Sequence, residues 1–183
     1  IQQAKIRNSE LKKTSVKDFI KTLRDIKADQ DRKELNNVEV SAYASPDGGM
    51  DLNEKLAGQR QKNAQKFLQK QLKRDKVKTD IASDITAEDW AGFQTLLENS
   101  NMQDKELVLR VLGMYTDPEE REAQIKNLSS VYSTIADEIL PALRRSRLIL
   151  TTDLIGKSDE EILNFLKSDP SQLSVEEMLY AAT

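Results

Sequence analysis

An arginine on the inward face of a helix, reached through a glycine-rich turn, is the feature that most constrains this chain. Residues 38–44 alternate apolar and polar side chains, which predicts a half-buried strand. Pro46 and the pair Gly48-Gly49 end that strand. A helix then follows whose fourth-residue repeat places one set of residues on a shared face, namely Leu56, Arg60, Ala64 and Leu68. Arg60 therefore lies within the stripe that faces the core.

The buried charge of Arg60 requires an anion. An unpaired charge is too costly to remove from water, and the guanidinium group offers a rigid fork of donors that suits a carboxylate or a phosphate. The anion can be an acidic side chain of the protein, which would make Arg60 a structural residue. Alternatively, the side chain reaches the surface or contacts a bound ligand. The residues before the helix bear on this choice.

Residues 42–48, together with Asn53, Leu56 and Arg60, resemble the OmpA-like peptidoglycan-associated domain family. The motif of that family reads Gly-His-Thr-Asp-x-x-Gly and continues with Asn, Leu and Arg at the spacing that Gly48, Asn53, Leu56 and Arg60 keep here. The resemblance implies that Arg60 binds a carboxylate of the diaminopimelate in the peptidoglycan stem peptide. It also implies a ligand site that includes further motif positions, namely Ser45, Asp47, Gly48 and Asn53.

The family's motif Asp, which helps to hold the charged groups of diaminopimelate, is replaced here by Ser45. A serine can form hydrogen bonds but supplies no charge for an ammonium group. Asp47 compensates if the loop turns its side chain inward, and Asp51 is a second candidate. The Ser-Pro-Asp-Gly turn is typical of a divergent branch of the family, with one half of the recognition of a zwitterion altered.

The patterns along the chain predict an α+β fold that resembles the OmpA-like β-α-β-α-β sandwich, with the helices on one face of the sheet. Ser15 and Asp18 predict the start of the first helix. Its buried stripe follows from the spacing of its apolar residues, which are Val16, Phe19, Ile20, Leu23 and Ile26. The strands are predicted at residues 1–6, 38–44 and 77–81, with a fourth at residues 147–154.

A helical insertion is predicted at about residues 84–143, before the last strand. Thr86 with Asp89 has the spacing of a capping box, and Asp117-Pro118 predicts the start of a longer helix. We expect this insertion to pack as a lobe beside the sheet without interrupting it. The paired Arg144-Arg145 before the last strand resembles the closing segment of the family. The OmpA-like domain is accordingly predicted to span residues 1–155.

Residues 156–183 have a different character and predict short helices after the domain. Ser158 with Glu161 and Ser174 with Glu177 each have capping-box spacing. Paired short helices of this kind are typical of the start of a helical-repeat region. The chain begins without Met and stops within an apolar-periodic segment, so we expect it to be a piece of a longer protein.

Composition removes several classes of function. The 183 residues include no Cys and no His, which excludes disulfides, zinc-thiolate sites and a Ser-His-Asp triad. The formal net charge of -3 gives no electrostatic footprint for nucleic acid, and the basic run at residues 70–78 is interpreted as a solvated face. Residues 47–54 lack the ligand spacing of a helix-loop-helix calcium site. We expect no metal, no cofactor, no nucleic-acid partner and no transmembrane segment.

Two functions follow from this reading. The resemblance implies a non-catalytic module in the periplasm, associated with the outer membrane of a Gram-negative envelope, that anchors a larger protein to peptidoglycan. The alternative is an OmpA-like fold that has lost this ligand and serves as a structural or protein-interaction scaffold through its helical segments. The surroundings of Arg60 discriminate between them. An open cleft beside Ser45 and a fork free of internal acid favour the first, whereas an internal carboxylate paired with Arg60 favours the second.

Overall fold

The computed structural model describes residues 4–182 and has an α+β fold with one three-stranded mixed sheet. The strand order is β2-β1-β3, with β1 parallel to β2 and antiparallel to β3. In chain order the elements are α1 (Asn8–Leu11), α2 (Thr14–Ala28), β1 (Lys33–Tyr43), α3 (Met50–Asp75), β2 (Ile81–Thr86), α4 (Trp90–Glu98), α5 (Lys105–Met114), α6 (Pro118–Asn127), α7 (Ser129–Thr134), a π-helix (Ile135–Ile139), α8 (Leu140–Leu143), β3 (Ser146–Leu154), α9 (Asp159–Ser168), a 3-10 turn (Pro170–Gln172) and α10 (Val175–Tyr180).

The central strand β1 organises the first of two hydrophobic cores. Its alternation buries Val38 and Val40 completely on one face, against which α2 and α3 pack. Leu23 from α2 meets Ala64 and Leu68 from α3 in the same cluster. Val38 and Val40 share one face because side chains two apart on a strand point to the same side. The prediction that helices cover this face of the sheet is confirmed.

The third predicted strand is displaced along the chain. We expected it at residues 77–81, but β2 spans Ile81–Thr86. Lys76 adopts a left-handed conformation (φ 53°) at the end of α3, and the Val77 amide donates to the Leu72 carbonyl at 2.9 Å. These bonds satisfy the last carbonyls of α3, so Val77 serves the helix terminus and is not part of the sheet.

The chain start also departs from expectation. Part of the first predicted strand, residues 1–3, lies outside the described residues, and Ala4 to Arg7 belong to no strand. The Ala4 carbonyl accepts a hydrogen bond from Asn63 Nδ2 at 3.0 Å, so this segment lies against α3. The predicted cap at Ser15 is wrong as well. Helix α2 begins at Thr14, and Lys13 precedes it without a side-chain cap bond.

The helices of residues 90–143, which we call the helical lobe, form a second hydrophobic core. Helix α4 begins at Trp90 with Asp89 as its cap, so the predicted capping role of Thr86 is wrong; Thr86 is the last residue of β2. The single long helix predicted from Pro118 is interrupted at Leu128 (φ -79°, ψ 60°). The most deeply buried members of this core are Phe93, Leu97, Val108, Ile135 and Leu143.

The last strand rejoins the sheet as predicted. β3 pairs antiparallel with β1 from Lys33 opposite Leu154 to Ala42 opposite Ser146, with a register irregularity near residues 35–37. The helices of residues 90–143 therefore leave and return at one end of the sheet without dividing it. At this end β1 is also followed by residues 44–49, which we call the motif loop.

Both predicted capping boxes in the tail are present. Ser158 and Glu161 cap α9, and Ser174 and Glu177 cap α10. Lys157 joins α10 to the preceding loop through a 2.8 Å contact with Glu177. Across residues 4–182, no helix combines the length and the apolar character that spanning a bilayer requires.

Candidate ligand-binding site

The predicted site residues lie together where β1 ends and α3 begins. Gly48 has φ +94°, a conformation that residues with a Cβ rarely adopt, and this explains the glycine at that point of the turn. Asn53, only 3% exposed, donates from Nδ2 to the Gly48 carbonyl at 3.1 Å. Asn53 thus braces the loop from the first turns of α3. Asp51, the second candidate for the missing charge, is exposed on that helix and is not part of this arrangement.

Arg60 lies on the inward face of α3, as predicted, and is 6% exposed. Its Nη1 donates to the Tyr43 carbonyl at 3.0 Å. Among the described residues, it forms no salt bridge with a carboxylate. Burial lowers the pKa of Arg60, the positive charge of Arg144 lowers this pKa further, and the negative charge of Asp47 opposes both. An arginine remains protonated at neutral pH despite such a shift, so Arg60 keeps a positive charge here without a salt bridge.

The side chain of Asp47 does turn inward, as the sequence allowed, but it is paired with Arg144 and not with Arg60. Arg144 Nη2 contacts Asp47 Oδ2 at 3.0 Å, and Arg144 Nε donates to Ser45 Oγ at 3.0 Å. The Ser45 hydroxyl also donates to Asp47 Oδ1. Ser45, only 4% exposed, is therefore a bridge between the acid and the guanidinium group.

We call Arg60, Asp47 and Arg144 the arginine cluster. It contains two guanidinium groups and one carboxylate, so its formal charge is positive. Arg144 was predicted only to precede the last strand, because its contact with Asp47 spans 97 residues of sequence. A site of this charge favours an anion, and the fork of a guanidinium group suits a planar carboxylate.

A second pair of charged residues reaches the loop from α6. The Gly48 amide donates to Glu122 Oε1 at 2.5 Å, across 74 residues of sequence. Glu122 in turn forms a 2.7 Å salt bridge with Lys126, one turn along the helix. Nothing in the local sequence pattern around Glu122 indicates a contact this distant.

The motif loop packs against the helical lobe and leaves little space. A cavity of about 10 Å³ lies between Pro46 and Asp47 on one side and Trp90, Glu122 and Tyr132 on the other. That volume corresponds to roughly one water molecule. Arg60 is also nearly inaccessible to solvent. The part of the chain that the structure describes therefore has no open cleft beside Ser45 of the kind that would favour ligand binding. The fork of Arg60, however, is free of internal acid.

A neighbouring arginine at the same end of β1 has its charge matched. Arg145 Nη1 lies 2.8 Å from Asp89 Oδ2, in a geometry that suits an ion pair better than a hydrogen bond. The Arg145 guanidinium also stacks 4.5 Å from the centroid of the Tyr43 ring. Asp89 uses its other oxygen to cap α4 through the Gly92 amide at 2.9 Å. Arg145 thereby fixes β1 to the helical lobe.

Neither a similar protein nor a metal-binding cluster indicates which ligand this site would bind. No known protein family, curated protein or solved structure matches this chain. Within residues 4–182, no group of three or more metal-binding side chains is close enough to hold an ion. The chemistry of the site therefore has to be argued from the arginine cluster and its neighbours.

Proposed function

We propose that this chain is a non-catalytic binding module of the cell envelope that holds a carboxylate-bearing ligand at the arginine cluster. The ligand we propose is the diaminopimelate-containing stem peptide of peptidoglycan, which would anchor a larger protein to the cell wall. The proposal places the chain in the periplasm, in association with the outer membrane of a Gram-negative envelope. It rests on one observation above all, the buried Arg60 that forms no salt bridge with an acid of the described residues and feels the charge of Asp47 without contacting it.

The cluster divides the recognition of such a ligand into two parts. Arg60 would bind a carboxylate through its unoccupied donors, because charge-assisted contacts to a guanidinium fork are among the stronger hydrogen bonds. An ammonium group would need Asp47, whose charge is already shared with Arg144 at 3.0 Å. We therefore expect carboxylate binding to dominate and ammonium binding to be weak.

The resemblance to OmpA-like domains supports the choice of ligand. The spacing of Gly48, Asn53 and Arg60 agrees with the family motif, and all three residues lie at one end of β1. Ser45, which stands at the position of the family's motif Asp, contacts Arg144 and Asp47. The departure at Ser45 thus changes the charge balance at the motif position that the resemblance assigns to the charged groups of the ligand.

Calorimetric titration with a stem tripeptide that contains diaminopimelate tests the proposal. The variant Arg60→Lys keeps the charge but loses the fork, and we expect roughly tenfold weaker binding because one of two parallel contacts is lost. Ser45→Asp supplies a second acid beside Arg144 and should release Asp47 for the ammonium group. Its affinity should rise roughly tenfold, the value of one charged hydrogen bond.

Thermal melts of both variants provide the control for folding. Equal affinity of wild type and Arg60→Lys would argue against a fork that grips a carboxylate. Weaker binding by Ser45→Asp, with its melting temperature unchanged, would argue against Asp47 as the ammonium partner.

A scaffold function is the second candidate, and a separate observation favours it. Asp47 is paired with Arg144, and the Gly48 amide is already bound to Glu122 of the protein itself. If these contacts are permanent, the loop serves to attach the helical lobe to the sheet, and the surfaces for partners lie on the helical segments. Absence of wild-type binding together with a large loss of stability in Arg60→Ala would select this alternative.

A further inference from the structure

Glu122 is the only acid of α6 that the structure brings to the motif loop among its described contacts. Its carboxylate accepts the Gly48 amide at 2.5 Å, in a turn where the positive φ of Gly48 fixes the direction of that amide. A backbone amide in a glycine turn, one residue after the Asp47 that binds Arg144, is a position suited to a carboxylate. Here the protein fills that position with its own carboxylate.

The helix that carries Glu122 is held firmly. Ile125 is 4% exposed and lies in the core of the helical lobe. Arg121 donates to the Tyr115 carbonyl at 2.8 Å and stacks 5.1 Å from the centroid of the Trp90 ring. The backbone of α6 is thus fixed on one side by apolar packing and on the other by Arg121. Rotation of the Glu122 side chain can therefore free the Gly48 amide while the helix stays in place.

The side chains of Glu122 and Lys126 retain contact with solvent. Their exposed fractions are 22% and 44%, and they meet each other at 2.7 Å. The hydrogen bond to Glu122 raises the pKa of Lys126, and the nearby charge of Asp47 acts in the same direction. The ammonium group of Lys126 therefore lies within the electrostatic reach of Asp47. Together the two side chains present a carboxylate and an ammonium group to the loop.

We infer that Glu122 is an internal competitor for the carboxylate position of the site, so that a ligand binds by displacing it from the Gly48 amide. The inference rests on the proposed function and adds a determinant of specificity to it. A ligand gains the amide only if its own carboxylate replaces that of Glu122. Molecules that bring a carboxylate with an ammonium group nearby match the Glu122–Lys126 pair best.

The competition also accounts for the closed conformation of the site. Rotation of a partly exposed glutamate side chain requires no unfolding and leaves the Ile125 anchor in place. Once Glu122 is removed, the formal charge around the loop becomes more positive by one. Both effects, the freed amide and the added positive charge, should tighten the binding of an anion.

The test uses acetate as a minimal carboxylate and follows the Gly48 amide by ¹⁵N NMR. In Glu122→Ala, acetate should shift this resonance at roughly tenfold lower concentration than in wild type, the value of one charge-assisted hydrogen bond. Glu122→Gln removes the charge but keeps an acceptor, so it should give an intermediate result. Glu119→Ala is the matched control, because Glu119 is exposed on the same helix and has no partner among the described residues.

A further variant shows where acetate binds. Adding Arg60→Ala to Glu122→Ala should abolish the acetate response of Gly48 if the arginine cluster forms the carboxylate site. The inference is overturned if Gly48 responds equally in wild type, Glu119→Ala and Glu122→Ala, or if no variant responds. Persistence of the response without Arg60 overturns it as well.

Parallel titrations with the stem tripeptide separate this inference from the proposed function. If the tripeptide binds no variant but acetate behaves as expected, the competition by Glu122 stands and the choice of peptidoglycan falls. If the tripeptide binds wild type and Glu122→Ala with equal affinity, the proposed function stands and the competition is rejected.

Discussion

Two arginines at the same end of β1 differ in how their charges are met, and we propose that the difference separates a structural role from a binding role. Arg145 contacts Asp89 at 2.8 Å and stacks on the Tyr43 ring. Arg60 contacts the same Tyr43, but only its carbonyl, and forms no salt bridge within the described residues. Arg145 is 28% exposed, whereas Arg60 is 6% exposed, so the more deeply buried charge is the less well paired.

This comparison reverses the usual expectation for buried ions. Buried charges are normally paired, since desolvation outweighs what a single neutral hydrogen bond returns. The Arg145 side follows that rule and joins the sheet to the helical lobe. The Arg60 side departs from it and carries two positive groups around Asp47. We interpret the departure as stability given up for recognition of an anion, since strain of this kind concentrates at functional sites.

The largest effect on stability is expected on the Arg145 side. Arg145→Ala leaves the Asp89 carboxylate, 6% exposed, without its cation. We expect the free energy of unfolding to fall by about 3 kcal/mol, the lower part of the range for a broken buried pair, because Arg145 retains some solvent. Urea denaturation of wild type and Arg145→Ala measures this difference in the free energy of unfolding. A loss below about 1 kcal/mol would show that this pair is no better matched than Arg60 and would remove the contrast.

A smaller loss of unfolding free energy is expected when the motif loop, which lies on the Arg60 side, is strained. Gly48→Ala places a Cβ at φ +94° with no atom of the described residues within 4 Å of it, so the cost arises from the backbone alone. We expect a loss of about 1 to 2 kcal/mol and weaker binding of the stem tripeptide, because the amide changes direction.

Gly58→Ala serves as the control for Gly48→Ala. Gly58 lies within α3 and also has open space around its Cβ position. The alanine there should stabilise the protein by about 1 kcal/mol, since glycine is a poor helix former. If both substitutions change stability alike, the conformation of the motif loop does not require glycine.

Local signals account for the parts of the fold that were predicted correctly. The alternation in β1, the placement of Arg60 on α3 and both capping boxes of the tail depend on residues a few positions apart. The third strand was misplaced because the helix-ending bonds of Lys76 and Val77 compete with strand propensity. Propensity cannot decide between a helix terminus and a sheet when both use the same backbone amides.

The candidate site was predicted only in part, for a different reason. Ser45, Asp47, Gly48, Asn53 and Arg60 were proposed from the resemblance to the family motif, and the structure brings them together. Arg144 and Glu122 were missed as site residues because they reach the loop across 97 and 74 residues. Such contacts depend on how β3 and the helical lobe return to the sheet, which no local pattern encodes.

The smallest predicted effect concerns salt. Ligand binding at the positively charged cluster should weaken several-fold when sodium chloride is raised from about 0.05 M to 0.5 M, because added ions screen the attraction. The Arg145–Asp89 pair is less accessible to ions, so the unfolding midpoint in urea should change little over the same range. Titration calorimetry at both concentrations measures the first effect. Affinity for the stem tripeptide that is independent of salt would argue against an electrostatic site.

The central claim is that Arg60 is held for a ligand and Arg145 for the fold, and Arg60→Ala tests it most directly. Wild type and this variant are titrated with the stem tripeptide, and their free energies of unfolding are measured in the same buffer. The account predicts roughly ten- to hundredfold weaker binding, the value of a charged contact. It also predicts a change in unfolding free energy within about 1 kcal/mol, because loss of the Tyr43 bond is offset by relief of a buried charge. Absence of wild-type binding, with a loss of stability as large as that of Arg145→Ala, would contradict it.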